Sequence, residues 1–184
     1  MTNKMLVCAA AAILSANIAA AAPADRKDFQ VVRDVATSVE RYAQFTIFDD
    51  VSASVKDGVV TLTGKVTMPF KRDDIERRVA KVDGVRDVRN QITVLPVSQW
   101  DDELRRRIAR SIYGNSSFWN YAIMPNPPIH IVVEHGHVTL TGVVSSEVDR
   151  MMARSLASGS GAFSVTNALK TDAEVREALE KESE

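Results

Sequence analysis

Two ten-residue stretches of this chain are nearly identical. DGVVTLTGKV runs from Asp57 to Val66, and HGHVTLTGVV runs from His135 to Val144, so their starting points lie 78 residues apart. In a chain of 184 residues, a ten-residue segment that recurs at this distance indicates an internal repeat. The repeat constrains the fold more than any other feature, because the chain must contain two copies of one small unit.

The first copy predicts a helix followed by a β-hairpin. Val31, Val35 and Val39 recur at the spacing of an amphipathic helix. Residues 51–66 then alternate between apolar and polar side chains on both sides of an Asp-Gly pair, residues 57–58. This pattern is typical of two half-buried strands joined by a two-residue turn.

A second helix and a third strand complete each copy. Pro69 can begin the helix, and the apolar residues of 88–94 predict a strand after it. A strand that follows a helical crossover can return parallel to its neighbour, whereas a hairpin is antiparallel. The second copy repeats this order between residues 104 and 169. The predicted fold class is therefore α+β: two tandem α-β-β-α-β domains, each a small three-stranded mixed sheet packed by two helices.

Glycines and asparagines recur at matching positions of the two copies. We expect Gly64 and Gly142, on the buried face of their strands, to mark the close approach of a helix, with a ligand pocket as the alternative. Asn90 and Asn167 are expected to tie a strand end to a neighbouring turn. The predicted structural residues are Gly58, Gly64, Gly84, Asn90, Gly136, Gly142, Gly161 and Asn167.

Residues 1–24 predict a secretory signal peptide. Lys4 supplies a positive charge, the following residues are almost entirely apolar, and the segment ends in small residues that suit cleavage. The alternative is a membrane anchor of about 18 residues. Cys8, the only cysteine, lies in this segment, so the mature protein would have no disulfide and no thiol chemistry. We therefore expect the mature chain to be secreted.

The remaining chain divides at a short linker. The predicted domains are residues 25–96 and 97–170, followed by an acidic tail over 171–184. Only a few residues around Pro96 connect the domains, so they are expected to lie close together. The tail begins with Thr171 and Glu174, the spacing of a helix capping box.

The sequence lacks the patterns of common enzymes. It has no Gly-x-Ser-x-Gly turn and no phosphate-binding glycine loop, so we predict neither an enzyme nor a cofactor. The net charge of −1 does not favour a nucleic-acid partner. Metal ligation is the alternative for His130, Glu134, His135 and His137, but a solvated hairpin is the preferred interpretation and no metal is predicted.

The second copy carries an insert that the first copy lacks. Between its first helix and first strand it is five residues longer, and the region YGNSSFWNYAIMPNPP (113–128) is rich in aromatic residues and follows an arginine-rich helix. Aromatic rings and arginines together suit a membrane surface, whereas the alternative is that the rings fill a core or the joint between domains. The candidate lipid-binding residues are Arg105, Arg106, Arg107, Arg110, Phe118, Trp119 and Tyr121.

Four motifs together resemble the BON family, which includes osmotically inducible periplasmic proteins. They are DGVVTLTGKV, KVDGVRDVRNQI, HGHVTLTGVVSSEVDR and GAFSVTNALK, and with the helices they cover about Phe29 to Lys170. The resemblance implies a non-enzymatic envelope module linked to phospholipid binding and membrane integrity. We therefore expect a periplasmic protein that binds anionic phospholipid surfaces and supports the envelope under stress. The alternative is a protein-interaction or chaperone-like adaptor that uses sheet edges and the insert, with envelope proteins as partners.

Overall fold

The computed structural model describes residues 28–183 and shows two α+β domains in tandem. The predicted signal segment, with Cys8, lies outside the described residues. Within them, no helix combines the length and the apolar character needed to cross a membrane. The first domain contains α1 (Asp28–Glu40), β1 (Asp50–Lys56), β2 (Val59–Val66), α2 (Pro69–Val79), β3 (Asp87–Asn90) and β4 (Thr93–Val94).

The second domain repeats this order and adds helical structure in the insert and the tail. Its elements are α3 (Gln99–Tyr113), a 3-10 turn (Ser116–Phe118), α4 (Trp119–Ala122), β5 (Ile129–Glu134), β6 (His137–Val144), α5 (Glu147–Ser158), β7 (Ser164–Asn167), β8 (Lys170–Thr171) and α6 (Asp172–Ser183). The predicted α-β-β-α-β order is confirmed. So is the capping box of the tail: Glu174 accepts from the Thr171 amide at 2.7 Å, and its own amide donates to the Thr171 hydroxyl.

Each sheet is mixed, as predicted, with the second hairpin strand at its centre. In the first domain β1 pairs antiparallel with β2, while β3 and β4 pair parallel with it. The second sheet has the same topology. The predicted third strand is thus broken into two short pieces in both domains.

An asparagine side chain accounts for this break. The Asn90 amide group donates to the Arg72 carbonyl of α2 at 3.1 Å, and its oxygen accepts from the Ile92 amide. Asn167 makes the same pair of bonds, to the Arg150 carbonyl of α5 and the Leu169 amide. Each asparagine therefore bonds to the local turn that follows its strand, as expected, and in addition ties the strand end to the first turn of a helix.

The hairpin turns are held by an acidic residue from the first helix of each domain. Asp57 and Gly58 both have positive φ, the conformation of the expected two-residue turn. Their amides donate to the Asp28 carboxylate at 2.8 and 3.1 Å. In the second domain Asp101 accepts equivalent bonds from the turn at residues 135–136. A carboxylate at one helix end thus fixes the turn against the helix.

The close approach at Gly64 and Gly142 comes from a strand, which corrects the expectation of a helix. A Cβ on Gly64 would lie 2.1 Å from the Asp50 carbonyl oxygen, and a Cβ on Gly142 would lie 1.8 Å from that of Pro128. Both glycines also have positive φ, 119° and 111°. The start of the partner strand therefore crosses these positions so closely that only glycine fits.

Gly84 and Gly161 lie beyond the C-termini of the helices that precede them. Helix α2 ends at Val79, and α5 ends before Gly159. The two glycines have φ of 90° and 85° and belong to the turns that lead into β3 and β7. The chain changes direction at both turns. Glycine suits them because positive φ is strained for residues with a side chain.

Each domain has its own apolar core between sheet and helices. The first core contains Val31, Val35, Val39, Tyr42, Val60, Leu62, Val66, Ile75, Val79 and Ile92. The second contains Leu104, Ile108, Ile112, Phe118, Tyr121, Ile129, Ile131, Val133, Val138, Leu140, Val144, Ala153, Ala157 and Leu169. The larger second core includes two aromatic residues of the insert.

The two domains pack directly against each other, as the short linker predicted. Phe48 of the first domain packs against the core of the second. The Ile131 amide of β5 donates to the Ile47 carbonyl at 2.7 Å, and Lys65 forms an ion pair with Glu134. The β5 edge is therefore partly covered by the first domain.

A buried polar cluster joins the loop before β1 to α2. Asp49 is fully buried and accepts from the Thr46 and Thr67 amides and hydroxyls and from the Lys71 ammonium at 2.6 Å. In the second domain the Tyr121 hydroxyl takes the corresponding place. It accepts from the Ser145 amide at 2.8 Å and donates to Asp149. The same junction is thus stabilised by an acid in one domain and by a phenol in the other.

Candidate membrane interface

The arginines of α3 lie on different sides of the helix. Ser98 caps the helix by accepting from the Asp101 amide at 3.2 Å. The buried residues are Asp101, Leu104, Arg105, Ile108 and Ile112, so the opposite side faces solvent. Arg106, Arg107 and Arg110 are exposed, as is Trp100.

Arg105 lies inside the protein and has no surface for a membrane. It is 4% exposed, its Nη2 donates to the Val133 carbonyl at 2.7 Å, and it forms an ion pair with Asp102. Its helix spacing to Leu104 and Ile108 places it on the packed side. Of the four candidate arginines, three therefore remain available at the surface.

The insert is partly core and partly exposed. Phe118 is fully buried, and Tyr121 is buried with its hydroxyl bonded as described above. Tyr113 is also anchored, because its hydroxyl donates to the Ile129 carbonyl at 2.6 Å, and burial raises the pKa of this phenol. These rings enlarge the second core, so Phe118 and Tyr121 have no free face for lipid.

Trp119 is the one candidate aromatic residue that lies on the surface. Its exposed fraction is 65%, and Ile123 and Met124 are exposed after it. Next along the chain, residues 125–128 border a cleft of about 660 Å³ at the domain junction, which Phe45 also lines. This end of the domain lies away from the hairpin turn, because Tyr121 contacts the residue that follows β6.

A second aromatic surface, missed from the sequence, lies at the hairpin end of the domain. The Arg107 guanidinium lies over the Trp100 ring, 5.6 Å from its centroid. Phe163 is exposed, its amide bonds to the Gly136 carbonyl, and its ring meets that of His137 edge-on. The seven-residue spacing of Trp100 and Arg107 places both on one helix face, a signal that could have identified them.

The exposed face of α3 is predominantly basic. Among the described residues, Arg107 and Arg110 have no ion-pair partner, and Glu103 is the acidic residue exposed on the same side. Exposed arginines retain a charge that can meet anionic phosphates, and a half-exposed tryptophan suits the headgroup region. Arg106 differs in position, because it borders a groove between the domains.

The first domain has a different basic surface. Here the Tyr42 hydroxyl donates to Asp74 at 2.6 Å, and this bond is the main reason why the pKa of Asp74 is lowered. Arg78 lies over the Tyr42 ring at 4.9 Å. The exposed side chains of Arg41 and Lys81 flank these contacts without an ion pair among residues 28–183. This surface provides a matched control for experiments on α3.

The histidines take part in polar contacts that do not converge. His130 Nδ1 lies 2.6 Å from the Asp49 carbonyl, whereas His137 Nδ1 lies 2.7 Å from the Ser164 hydroxyl. Glu134 pairs with Lys65. Within the part of the chain that the structure describes, no group of three His, Cys, Asp or Glu residues is arranged to hold a metal ion.

The described residues form two tandem α-β-β-α-β domains, which define a class of small, repeated α+β modules. The model of the BON domain family matches residues 27–96 and 101–173, which together make up most of the chain. The chain therefore belongs to the BON domain family.

Two solved structures with a detectable likeness come from Chlamydia trachomatis. One is the C-terminal domain of CdsD, the structural protein of the type III secretion system, with 12% identity, a TM-score of 0.33, and coverage of 79% of this chain and 67% of that one. A second CdsD structure has 12% identity and a TM-score of 0.30, and covers 79% and 97% of the two chains. No curated protein matched the chain.

Proposed function

We propose that this chain is a periplasmic, non-enzymatic envelope protein whose second domain binds anionic phospholipid surfaces and supports envelope integrity under stress. The observation that carries the proposal is the exposed face of α3, where Arg107 and Arg110 lack ion-pair partners among the described residues and Trp100 lies beneath Arg107. Membership of the BON family, which is associated with phospholipid binding, agrees with this assignment.

The physical basis is a weak attraction that several groups share. A basic side chain near an anionic membrane contributes about 1 kcal/mol, and salt screens this attraction. An aromatic ring at headgroup depth adds burial that depends less on salt. Reversible, salt-sensitive association is therefore the expected behaviour.

Charge reversal on α3 should abolish most of this binding. In the variant Arg107→Glu/Arg110→Glu, two attractions are lost and two repulsions are added, so vesicle affinity should fall by about 100-fold. Co-sedimentation with vesicles of phosphatidylglycerol and phosphatidylethanolamine measures the change. Raising the salt concentration should weaken the wild-type chain but have little further effect on the variant.

The control has the same charge change on the other domain. Arg41→Glu/Lys81→Glu alters the basic surface of the first domain, and its vesicle binding should remain within about twofold of wild type. If both double variants lose binding equally, the attraction depends on net charge and not on α3. If neither loses binding, the proposed interface is wrong.

The exposed side of the insert favours a second candidate function, that of a protein adaptor. Trp119, Ile123 and Met124 are exposed next to the junction cleft. Large exposed apolar groups that lie together often mark protein contacts. This role would be favoured if the wild-type chain does not bind anionic vesicles but retains envelope proteins in a pull-down. The Trp119→Ala variant should then fail to retain those proteins.

A further inference from the structure

A groove of about 380 Å³ separates the start of α2 from the side of α3. It lies between the two domains, away from the Trp100 and Arg107 surface. Its lining includes three apolar side chains, Phe48, Met68 and Phe70, and the charged groups Asp102, Arg105 and Arg106. The groove thus places apolar and basic groups side by side.

The charges in the groove do not cancel. Lys71 is paired with the buried Asp49, and Arg105 is paired with Asp102. Arg106 is exposed and has no ion-pair partner among residues 28–183. After both pairs are counted, one positive charge remains for an anion to neutralise.

Arg105 carries an unused donor. Its side chain is buried, and its Nε is buried without a hydrogen-bond acceptor in the described part of the chain. Buried polar groups are nearly always hydrogen-bonded, so an unpaired one requires an explanation. Arg105 lines the groove, so an anionic oxygen beside Arg106 would supply the missing acceptor if the Arg105 side chain turned toward it.

The N-terminus of α2 has no side-chain cap. Met68 occupies the N-cap position and makes no side-chain cap bond, and no acidic residue lies in the first turn. At the equivalent position of the second domain, Ser146 accepts from the Asp149 amide at 3.2 Å. Pro69 has no amide hydrogen, and the Lys71 amide donates to the Met68 carbonyl at 3.1 Å, so the Phe70 amide and the helix dipole are what would attract an anion here.

The groove also offers an apolar surface. Met68 and Phe70 are each about half exposed, at 50% and 48%. A free phosphate ion would leave these side chains in water. A ligand with an anionic head and an apolar tail would cover them and gain from their burial.

We propose that this groove binds one molecule of an amphiphile with a phosphate-type headgroup. The headgroup meets Arg105, Arg106 and the first turn of α2, and the tail lies over Met68 and Phe70. The site is separate from the membrane face of α3, since Arg107 and Arg110 do not line it. The chain would thus hold a single lipid-like molecule between its domains.

The test uses the full mature chain and a monomeric probe. Dihexanoyl phosphatidic acid, kept below its micelle concentration, is titrated while NMR follows the Arg105 Nε–H signal and the amides of residues 70–72. We expect a saturable shift of these signals. Inorganic phosphate should shift them with an affinity lower by about tenfold or more, because it lacks the tail.

Variants at the two N-caps separate binding from folding. Met68→Asp adds a carboxylate cap, which favours the helix but repels an anion, so its affinity should fall by about tenfold or more. Ser146→Asp makes the matching change in the second domain and should bind as wild type does. Phe70→Ser should reduce the affinity for the amphiphile to that for phosphate.

The outcomes also separate this site from the membrane face. The variant Arg107→Glu/Arg110→Glu should still bind the probe, even though it no longer binds anionic vesicles. The proposal is overturned if the wild-type signals do not shift, if Met68→Asp binds as wild type does, or if phosphate binds as tightly as the amphiphile. If the wild-type chain binds the probe but not the vesicles, the proposed groove site is supported and the proposed membrane function is contradicted.

Discussion

Asp49→Ala should lower the free energy of unfolding by about 3–5 kcal/mol, the usual effect of removing one member of a buried ion pair. The substitution leaves the buried Lys71 ammonium without its carboxylate and removes the acceptor of the Thr46 and Thr67 amides. Urea denaturation followed by circular dichroism measures the change. Asp50→Ala is the control, because the Asp50 side chain makes no hydrogen bond or ion pair among residues 28–183, and it should remain within about 0.5 kcal/mol of wild type.

Lys71→Met should cost less than Asp49→Ala. The Asp49 carboxylate then keeps the four bonds from Thr46 and Thr67, whereas Asp49→Ala removes the centre of the cluster. If Asp49→Ala is no more destabilising than Asp50→Ala, the buried cluster does not hold the domain together.

The same cluster should make the folding stability of the protein decrease at acid pH. Burial alone raises the pKa of Asp49, but the hydrogen bonds from Lys71, Thr67 and Thr46 outweigh it, and the pKa lies below its ordinary value of 3.8. A lowered folded-state pKa stabilises the protein above the unfolded-state pKa, and this contribution is lost as the pH falls through the folded-state value. Stability should therefore decline below about pH 4, and less steeply in Asp49→Ala.

Gly142→Ala should be about as damaging, with a loss of about 3–5 kcal/mol. The new Cβ would overlap the Pro128 carbonyl oxygen, and φ of 111° is strained for any residue with a side chain. The partner strand must move away or the hairpin must distort. Thermal unfolding followed by circular dichroism measures the effect.

Gly159→Ala is the matched control for Gly142→Ala. Gly159 has φ of −70°, and the nearest atoms to an added Cβ lie at 3.7 Å. Because alanine fits there, this variant should be neutral or more stable by about 0.4–1 kcal/mol. Equal stability of the two variants would contradict the account of the strand crossing at Gly142.

The elements of the fold were predictable because they follow local patterns. Apolar periodicity located the helices, and the turn residues fixed both hairpins. The break in the third strand was not predicted, because it depends on bonds from Asn90 and Asn167 to helices that are distant in sequence. Periodicity contains no information about such bonds.

The role of Asp101 was not predicted. Acidic residues at helix ends usually cap the helix or stay in solvent, but Asp101 is buried and holds the hairpin turn. Asp28 does the same in the first copy, 73 residues earlier. Comparison of the two copies for matching acids could have revealed this pair.

Only part of the candidate site could be read from the sequence. Phe118 and Tyr121 are three residues apart and share one face of a short helical segment, whereas Trp119 lies on another. The helical spacing therefore distinguishes the two core residues from the surface residue. The composition of the insert alone cannot make this distinction. Trp100 was not among the candidates, because it lies outside the insert and five residues before the arginine cluster.

The most direct test of the central claim is the emission of Trp100 in the presence of membranes. The chain contains two tryptophans, so Trp119→Phe leaves Trp100 as the only reporter. Adding anionic vesicles should shift its emission to shorter wavelength, and added salt or Arg107→Glu/Arg110→Glu should reverse the shift. Zwitterionic vesicles should have little effect. Unchanged Trp100 emission with anionic vesicles, at concentrations that sediment the chain, would contradict membrane binding through α3.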